Sequence, residues 1–286
     1  MRQPVYTPEF VERGYNNRAA VPDHPAWFET FARRSDEAVK RHRPALDLRF
    51  GPGPKETLDL FVPAGGARGT LLFIHGGYWR ALDKADHRFV AGPFVEAGYA
   101  VAVQNYDLCP AVSIATIVDE CRRAVAWLVR EGEQYGAPTT RLVVSGHSAG
   151  GHLAAMMLAT PPGGFGLARH PVTAAVSVSG VHDLRPLTLF SFNSDFKLDD
   201  AEAARLSPVC LAAQIDAPLL VAVGADETGE FLRQAELMVQ AWPANRPDGR
   251  GAAMIIPDRH HFSVIVDYAE PASALTRETL ALFDVC

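Results

Sequence analysis

The segment Val143-Val144-Ser145-Gly146-His147-Ser148-Ala149-Gly150-Gly151-His152-Leu153 constrains the fold more than any other stretch of the chain. An apolar strand runs into G-x-S-x-G and then directly into a helix rich in Ala, Met and Leu. The bare motif is weak, but its surroundings are informative. Glycines on both sides of the serine remove the Cβ atoms that a sharp strand-to-helix turn would drive into neighbouring backbone. Ser148 is therefore expected at the tip of an elbow above the carboxyl edge of a sheet, with a helix N-terminus beneath it that favours developing negative charge.

Such an elbow needs a sheet around it, and the rest of the chain provides the strands. Short apolar runs recur at 71–74, 99–103, 142–145, 174–178, 219–223 and 253–256, separated by helical patterns. Continuous rather than alternating hydrophobicity is what a strand covered on both faces requires, so the sheet is expected to be largely parallel. Between the second and third runs, Ile114, Ile117, Val118, Cys121, Ala124, Val125 and Leu128 form one helical stripe. Phe231, Ala235, Met238 and Trp242 repeat the pattern after the fifth run, and Ala272, Leu275, Thr279 and Leu282 near the end. Upstream, Leu46, Leu48, Phe50 and Leu58, Leu60, Val62 alternate with period two around Gly51-Pro52-Gly53-Pro54, which predicts an antiparallel edge pair. The fold class is thus α/β, a mostly parallel sheet of about eight strands with helices on both faces and antiparallel N-terminal edge strands.

Two segments stand outside this alternation. Residues 1–43 hold a predicted helix from about Pro25 to Arg41, and residues 183–214 form a Phe-rich, cap-like insertion. Excursions of this length in a compact domain commonly serve as lids or binding walls. With no repeat, low-complexity tract or linker, residues 1–286 are expected to form a single domain.

A nucleophilic serine needs a place for the tetrahedral oxyanion. His75-Gly76-Gly77-Tyr78-Trp79 follows the first central strand, and its paired glycines let backbone amides face inward. The expected donors are the amides of Gly76, Gly77 and Ala149. The serine also needs a base, and the base a carboxylate that fixes its tautomer. In an elbow architecture the chain order is serine, acid, histidine, each after a later strand. Asp226, within Gly224-Ala225-Asp226-Glu227, is the preferred acid, with Glu227 and Asp183 as rivals. After the last strand, His260 and His261 both qualify as the base, and spacing does not separate them.

Other chemistries find little support. His147 and His152 lack the intervening Glu of a zinc-binding H-E-x-x-H helix and read as packing or supporting residues. No phosphate-cradling or dinucleotide loop occurs after a strand, so neither cofactor nor metal is expected. The net charge of −6 without a long Lys/Arg run argues against nucleic acid or an anionic membrane surface as the main partner. Cys109, Cys121, Cys210 and Cys286 are too few and too scattered for a disulfide scaffold and read as reduced thiols. No signal peptide or 18-residue apolar span is visible, which makes the cytoplasm the expected address.

With these residues identified, the chain resembles the α/β-hydrolase superfamily, and within it the branch of kynurenine formamidases (arylformamidases) and esterases with an H-G-G-Y-W box. The resemblance spans nearly the whole chain. It takes in Tyr15-Asn16-Asn17-Arg18, Glu56 to Leu60, His75 to Trp79, Gly146 to Gly151, Gly224 to Glu227 and His261-Phe262. In that branch the catalytic histidine directly precedes a phenylalanine, which implies His261. Ser263 departs from the Asp that similar proteins often carry next. The resemblance implies a cofactor-independent serine hydrolase with Ser148 as nucleophile, His261 as base and Asp226 as acid. Its substrate would be a small ester or aryl-amide, first of all N-formylkynurenine cleaved to kynurenine and formate, with a general carboxylesterase as the alternative. Tyr78, Trp79, Trp27 and Phe192 are the candidate aromatic contacts for an aryl ring. A ligand-binding receptor on the same scaffold and a metal-dependent formamidase are the remaining alternatives. A homodimer is left open.

Overall fold

A computed structural model describes residues 5–247 and 251–284. Eight strands form one sheet: β1 Ala45–Arg49, β2 Thr57–Phe61, β3 Thr70–Ile74, β4 Ala100–Gln104, β5 Leu142–His147, β6 Ala174–Val178, β7 Leu219–Gly224 and β8 Met254–Ile256. Their spatial order is β1-β2-β4-β3-β5-β6-β7-β8. The first two strands pair antiparallel, β2 pairs antiparallel with β4, and every later pairing is parallel. The fold is that of the α/β hydrolases, as the resemblance implies. All residues of β3 to β7 are buried, because helices cover both faces and two apolar clusters fill the layers between. One cluster joins Leu72 and Val144 to the helix Ile114–Glu131, and the other joins Phe73 and Val143 to Phe94 and Tyr268. β1 departs from the half-buried strand its alternation predicts. Most of it is exposed, since it lies at the open sheet edge.

The predicted N-terminal helix spans His24–His42, preceded by Pro8–Tyr15 and the short Asn17–Ala20. Proline at its second position and Lys40, Arg41 and His42 in its last turn suit the two helix ends. Residues 183–214 form a chain of short helical turns. Its hold on the body includes His152, whose Nε2–H donates to the Leu206 carbonyl at 2.7 Å. Cys109, Cys121 and Cys210 are free thiols, and Cys286 lies outside the described residues. Among the described residues, no helix is long and apolar enough to cross a membrane.

Candidate active site

Ser148 terminates β5 and caps the helix Ala149–Leu158 with φ 57° and ψ −117°, a left-handed conformation that few non-glycine residues adopt. Its neighbours show why the turn demands glycine. A Cβ on Gly146 would lie 2.1 Å from the Gly150 carbonyl oxygen, and one on Gly150 would lie 2.0 Å from that of Ile74. The strained serine is held by its own amide, which donates to the Val178 carbonyl at 2.8 Å.

Ser148 Oγ lies 3.0 Å from His261 Nε2, and His261 Nδ1 lies 2.7 Å from Glu227 Oε2. With the hydroxyl donating to Nε2 and Nδ1–H donating to the carboxylate, the three groups form one chain of hydrogen bonds. All three residues are buried. The carboxylate is Glu227 rather than Asp226, which corrects the sequence expectation. Asp226 is exposed, and a tight turn accounts for the exchange. The Glu227 amide donates to the Gly224 carbonyl, while the Ala225 and Asp226 amides donate across to Ile256 and Arg259. Asp226 is thus left at the outer corner of the turn and Glu227 swings inward. Gly224 N–H then donates to Glu227 Oε1 at 2.9 Å, and the Ser179 hydroxyl donates to the same oxygen. Asp183, the other rival, is engaged by Arg185 at 2.8 and 2.9 Å. Of the two histidines, His260 turns its ring to Trp27 at 5.0 Å and its Nδ1 accepts from the loop's own amides.

His147 supports this arrangement. Its Nε2–H donates to the His261 carbonyl at 2.8 Å, fastening the backbone of the β8 loop to the elbow. Burial holds its pKa well below the ordinary histidine value, so the ring stays neutral and leaves Nδ1 as an acceptor. Phe231, 4.5 Å away between ring centroids, packs against the His261 imidazole.

The His75–Trp79 loop runs directly beside the elbow. A Cβ on Gly76 would lie 2.9 Å from the His147 carbonyl oxygen and 3.1 Å from Ser148 Cβ, so only glycine allows this approach. Gly77, Tyr78 and Trp79 follow with φ 105°, 50° and 54°, a run of left-handed residues. The loop is braced from below. The Tyr106 hydroxyl donates to the His75 and Gly76 carbonyls at 3.0 and 3.1 Å, and its ring stacks on His75 at 4.2 Å. Burial lowers the His75 pKa to about 4, which keeps that ring neutral.

Ser148 and His261 open into a partly enclosed cavity. Gly77, Tyr78 and Phe192 line it, together with Phe28, Phe31 and Phe262. The aromatic expectations divide here. Tyr78 presents its ring only, because its hydroxyl donates to the Tyr15 carbonyl at 2.6 Å. Trp79 is fully buried outside the cavity lining, edge-on to His152 and Phe196. Trp27 is likewise absent from the lining, since its indole N–H donates to Asp23 one turn back. Its place is taken by Phe28 and Phe31, three apart on the inner face of the same helix. Asn16, Asn17, Arg18, Arg80, His87 and His147 complete the polar lining. Apart from His147, none of these is distinguished by residue type alone, although Asn16, Asn17 and Arg18 lie in the 15–18 motif.

Similar proteins occur among kynurenine formamidases and esterases. A family model described as BD-FAE matches residues 58–238. The chain is 30% identical to a kynurenine formamidase of Salmo salar over 83% of its own length and 81% of the relative's. It is 29% identical to that of Danio rerio, again over 83% and 81%. A crystal structure from Silicibacter, described as a candidate thioesterase, shares 34% identity and a TM-score of 0.83, covering 93% of this chain and 97% of its own. Esterase B from Lactobacillus rhamnosis superposes with a TM-score of 0.67 at 20% identity, over 94% and 96% of the two chains.

Proposed function

Because the chain belongs to the BD-FAE family and is a hydrolase of the α/β-hydrolase fold, we propose that it is a serine hydrolase cleaving small aryl-formamides, N-formylkynurenine foremost. The observation that carries this reading is the Ser148–His261–Glu227 hydrogen-bond chain at the floor of an aromatic-walled cavity. The relatives named kynurenine formamidase support the choice of substrate.

In this reading Ser148 Oγ attacks the formyl carbon as His261 Nε2 takes the hydroxyl proton. Glu227 holds the Nδ1–H tautomer and offsets the charge on the resulting imidazolium. The carbonyl electrons move to an oxyanion received by the amides of Gly76, Gly77 and Ala149. Collapse breaks the C–N bond, His261 returns its proton to the departing aryl amine, and Ser148 is left formylated. Water, activated by the same imidazole, then releases formate and restores the hydroxyl. Removing a single oxyanion donor typically costs about 3 kcal/mol of barrier, so the Gly76–Gly77 loop carries a large share of the rate.

The test is a side-by-side kcat/KM for N-formylkynurenine, p-nitrophenyl acetate and p-nitrophenyl butyrate. A clear preference for the formamide is expected. Equal rates would favour the general carboxylesterase suggested by relatives such as the esterase LipQ of Mycobacterium tuberculosis, 30% identical over 48% of this chain. Failure of a fluorophosphonate probe to label Ser148 would reject both and leave a receptor.

A further inference from the structure

We propose that Arg18 and Asn17 form a carboxylate-recognition subsite, so that the preferred substrate is an aryl compound whose leaving group carries an anionic carboxylate. The inference rests on the hydrolase reading and names the substrate class of that same cavity.

Three observations carry it. Among the described residues, the cavity lining contains no aspartate or glutamate, and its two permanent cations are Arg18 and Arg80. Arg80 is already neutralised, with its Nε 2.5 Å from Asp195. Among the described residues Arg18 has no carboxylate partner. It is exposed, and its guanidinium lies 5.5 Å over the Phe28 ring, itself a wall of the cavity. Stacking on an aromatic face leaves the edge of a guanidinium free to donate to a planar anion.

The third observation concerns Asn17. The residue is 4% exposed and lines the same cavity, yet its Nδ2 has no hydrogen-bond acceptor among the described residues. A buried donor without an acceptor is costly unless a ligand supplies one. A carboxylate offers two acceptor oxygens, enough for both Arg18 and Asn17. A neutral alkyl group would leave both unmet. Because a formyl group is too small to reach beyond the serine and its oxyanion donors, the anion belongs on the departing aryl side.

Two matched pairs test this. One is N-formylkynurenine and its carboxamide. The other is 3-(4-acetoxyphenyl)propanoate and its propanamide, which differ only in the remote charge. For each pair the anion is expected to be favoured by about tenfold in kcat/KM, as suits a charge-assisted hydrogen bond at a partly exposed site. In Arg18→Gln that ratio should fall to within about twofold, and in Asn17→Asp it should fall below one. Independently of turnover, calorimetry with kynurenine and its carboxamide should show the same discrimination in wild type and its loss in Arg18→Gln. Equal binding of the two in wild type, or discrimination that survives Arg18→Gln, would overturn the subsite while leaving hydrolysis intact. Selective binding of the carboxylates with no cleavage of either formyl or acetyl group would uphold the subsite and reject the hydrolase reading instead.

Discussion

The floor of the cavity and its outer wall are held by different means. On the floor, Ser148, His261 and Glu227 follow the ends of β5, β8 and β7, and each is held by a hydrogen bond within the sheet-end loops themselves. The Ser148 amide donates to Val178, the His261 carbonyl accepts from His147, and Glu227 accepts from the Gly224 amide. The wall comes from the N-terminal segment and Phe192, outside the sheet. It is attached mainly by side chains, with Tyr78 donating to the Tyr15 carbonyl, Gln234 donating to the Tyr15 hydroxyl, and Phe28 packing on Phe262 at 5.4 Å. Reacting atoms need placement to a fraction of an ångström, which a parallel sheet supplies. A wall made of appended segments can vary without disturbing them. Changes on the floor should therefore act on kcat, and changes in the wall on KM and on the ratio between substrates.

The strongest test of that division is Ser148→Ala. It should lower turnover by about 10⁵-fold to 10⁶-fold while the circular dichroism spectrum and melting profile stay those of a folded protein. Substantial hydrolysis in that variant would remove the floor's claim to the chemistry. Next in size is the acid. Glu227→Gln should lower kcat by about 10⁴-fold, because the tautomer and the imidazolium both lose their partner, whereas Asp226→Asn should change it by less than about twofold. Equal losses in the two variants would mean that the turn places both carboxylates on the histidine.

That pair of variants also marks where sequence reasoning stops. The elbow is legible because three close backbone approaches permit only glycine, and glycine spacing is visible in the chain. The central strands are legible because full burial on both faces leaves an unbroken apolar run, and their observed ends differ from the expected ones by at most two residues. Asp226 and Glu227, by contrast, are adjacent carboxylates after one strand. Which of them turns inward depends on the amides of Ala225 and Asp226 pairing across to the β8 side, a contact between distant segments that leaves no local mark. Trp27 and Phe28 differ in the same way. One residue is about 100° around a helix, so a neighbour in sequence faces elsewhere, and the docking angle of that helix is set by tertiary packing. Trp79 is misjudged for a related reason, since its ring packs edge-on to His152 and Phe196 behind Tyr78, a tertiary contact that leaves no local mark.

The floor's burial has a further consequence at low pH. Burial depresses His75 and His152 to about 4 and His182 to about 3. In the unfolded chain these residues take up protons near pH 6.5, whereas the folded protein refuses them until much lower. The unfolded state therefore binds more protons throughout that interval. Stability should be fully present above pH 6.5 and decline as pH falls toward 4, each unit of depression corresponding to about 1.4 kcal/mol per group. Melting temperatures across pH 8 to 4 check this, and a profile flat to pH 4.5 would show that these rings are hydrated or charged in the native state.

The smallest effect belongs to the wall. Phe192 is half-buried, with the Arg80 guanidinium 4.3 Å from its ring centre and Tyr78 5.7 Å away. Phe192→Ala removes one face of the aromatic cavity and leaves the Ser148–His261–Glu227 chain untouched. For an aryl-formamide, KM should rise by about threefold to tenfold with kcat within about twofold, since the lost contact binds ground state and transition state alike. A small ester such as methyl acetate, too short to reach the ring, should show almost no change in kcat/KM. If Phe192→Ala instead lowered kcat for both substrates equally, the wall would be positioning the nucleophile or its base. The separation between a fixed floor and an adjustable wall would then fail at the contact between Phe192 and Tyr78, the first cavity-lining residue after Gly77.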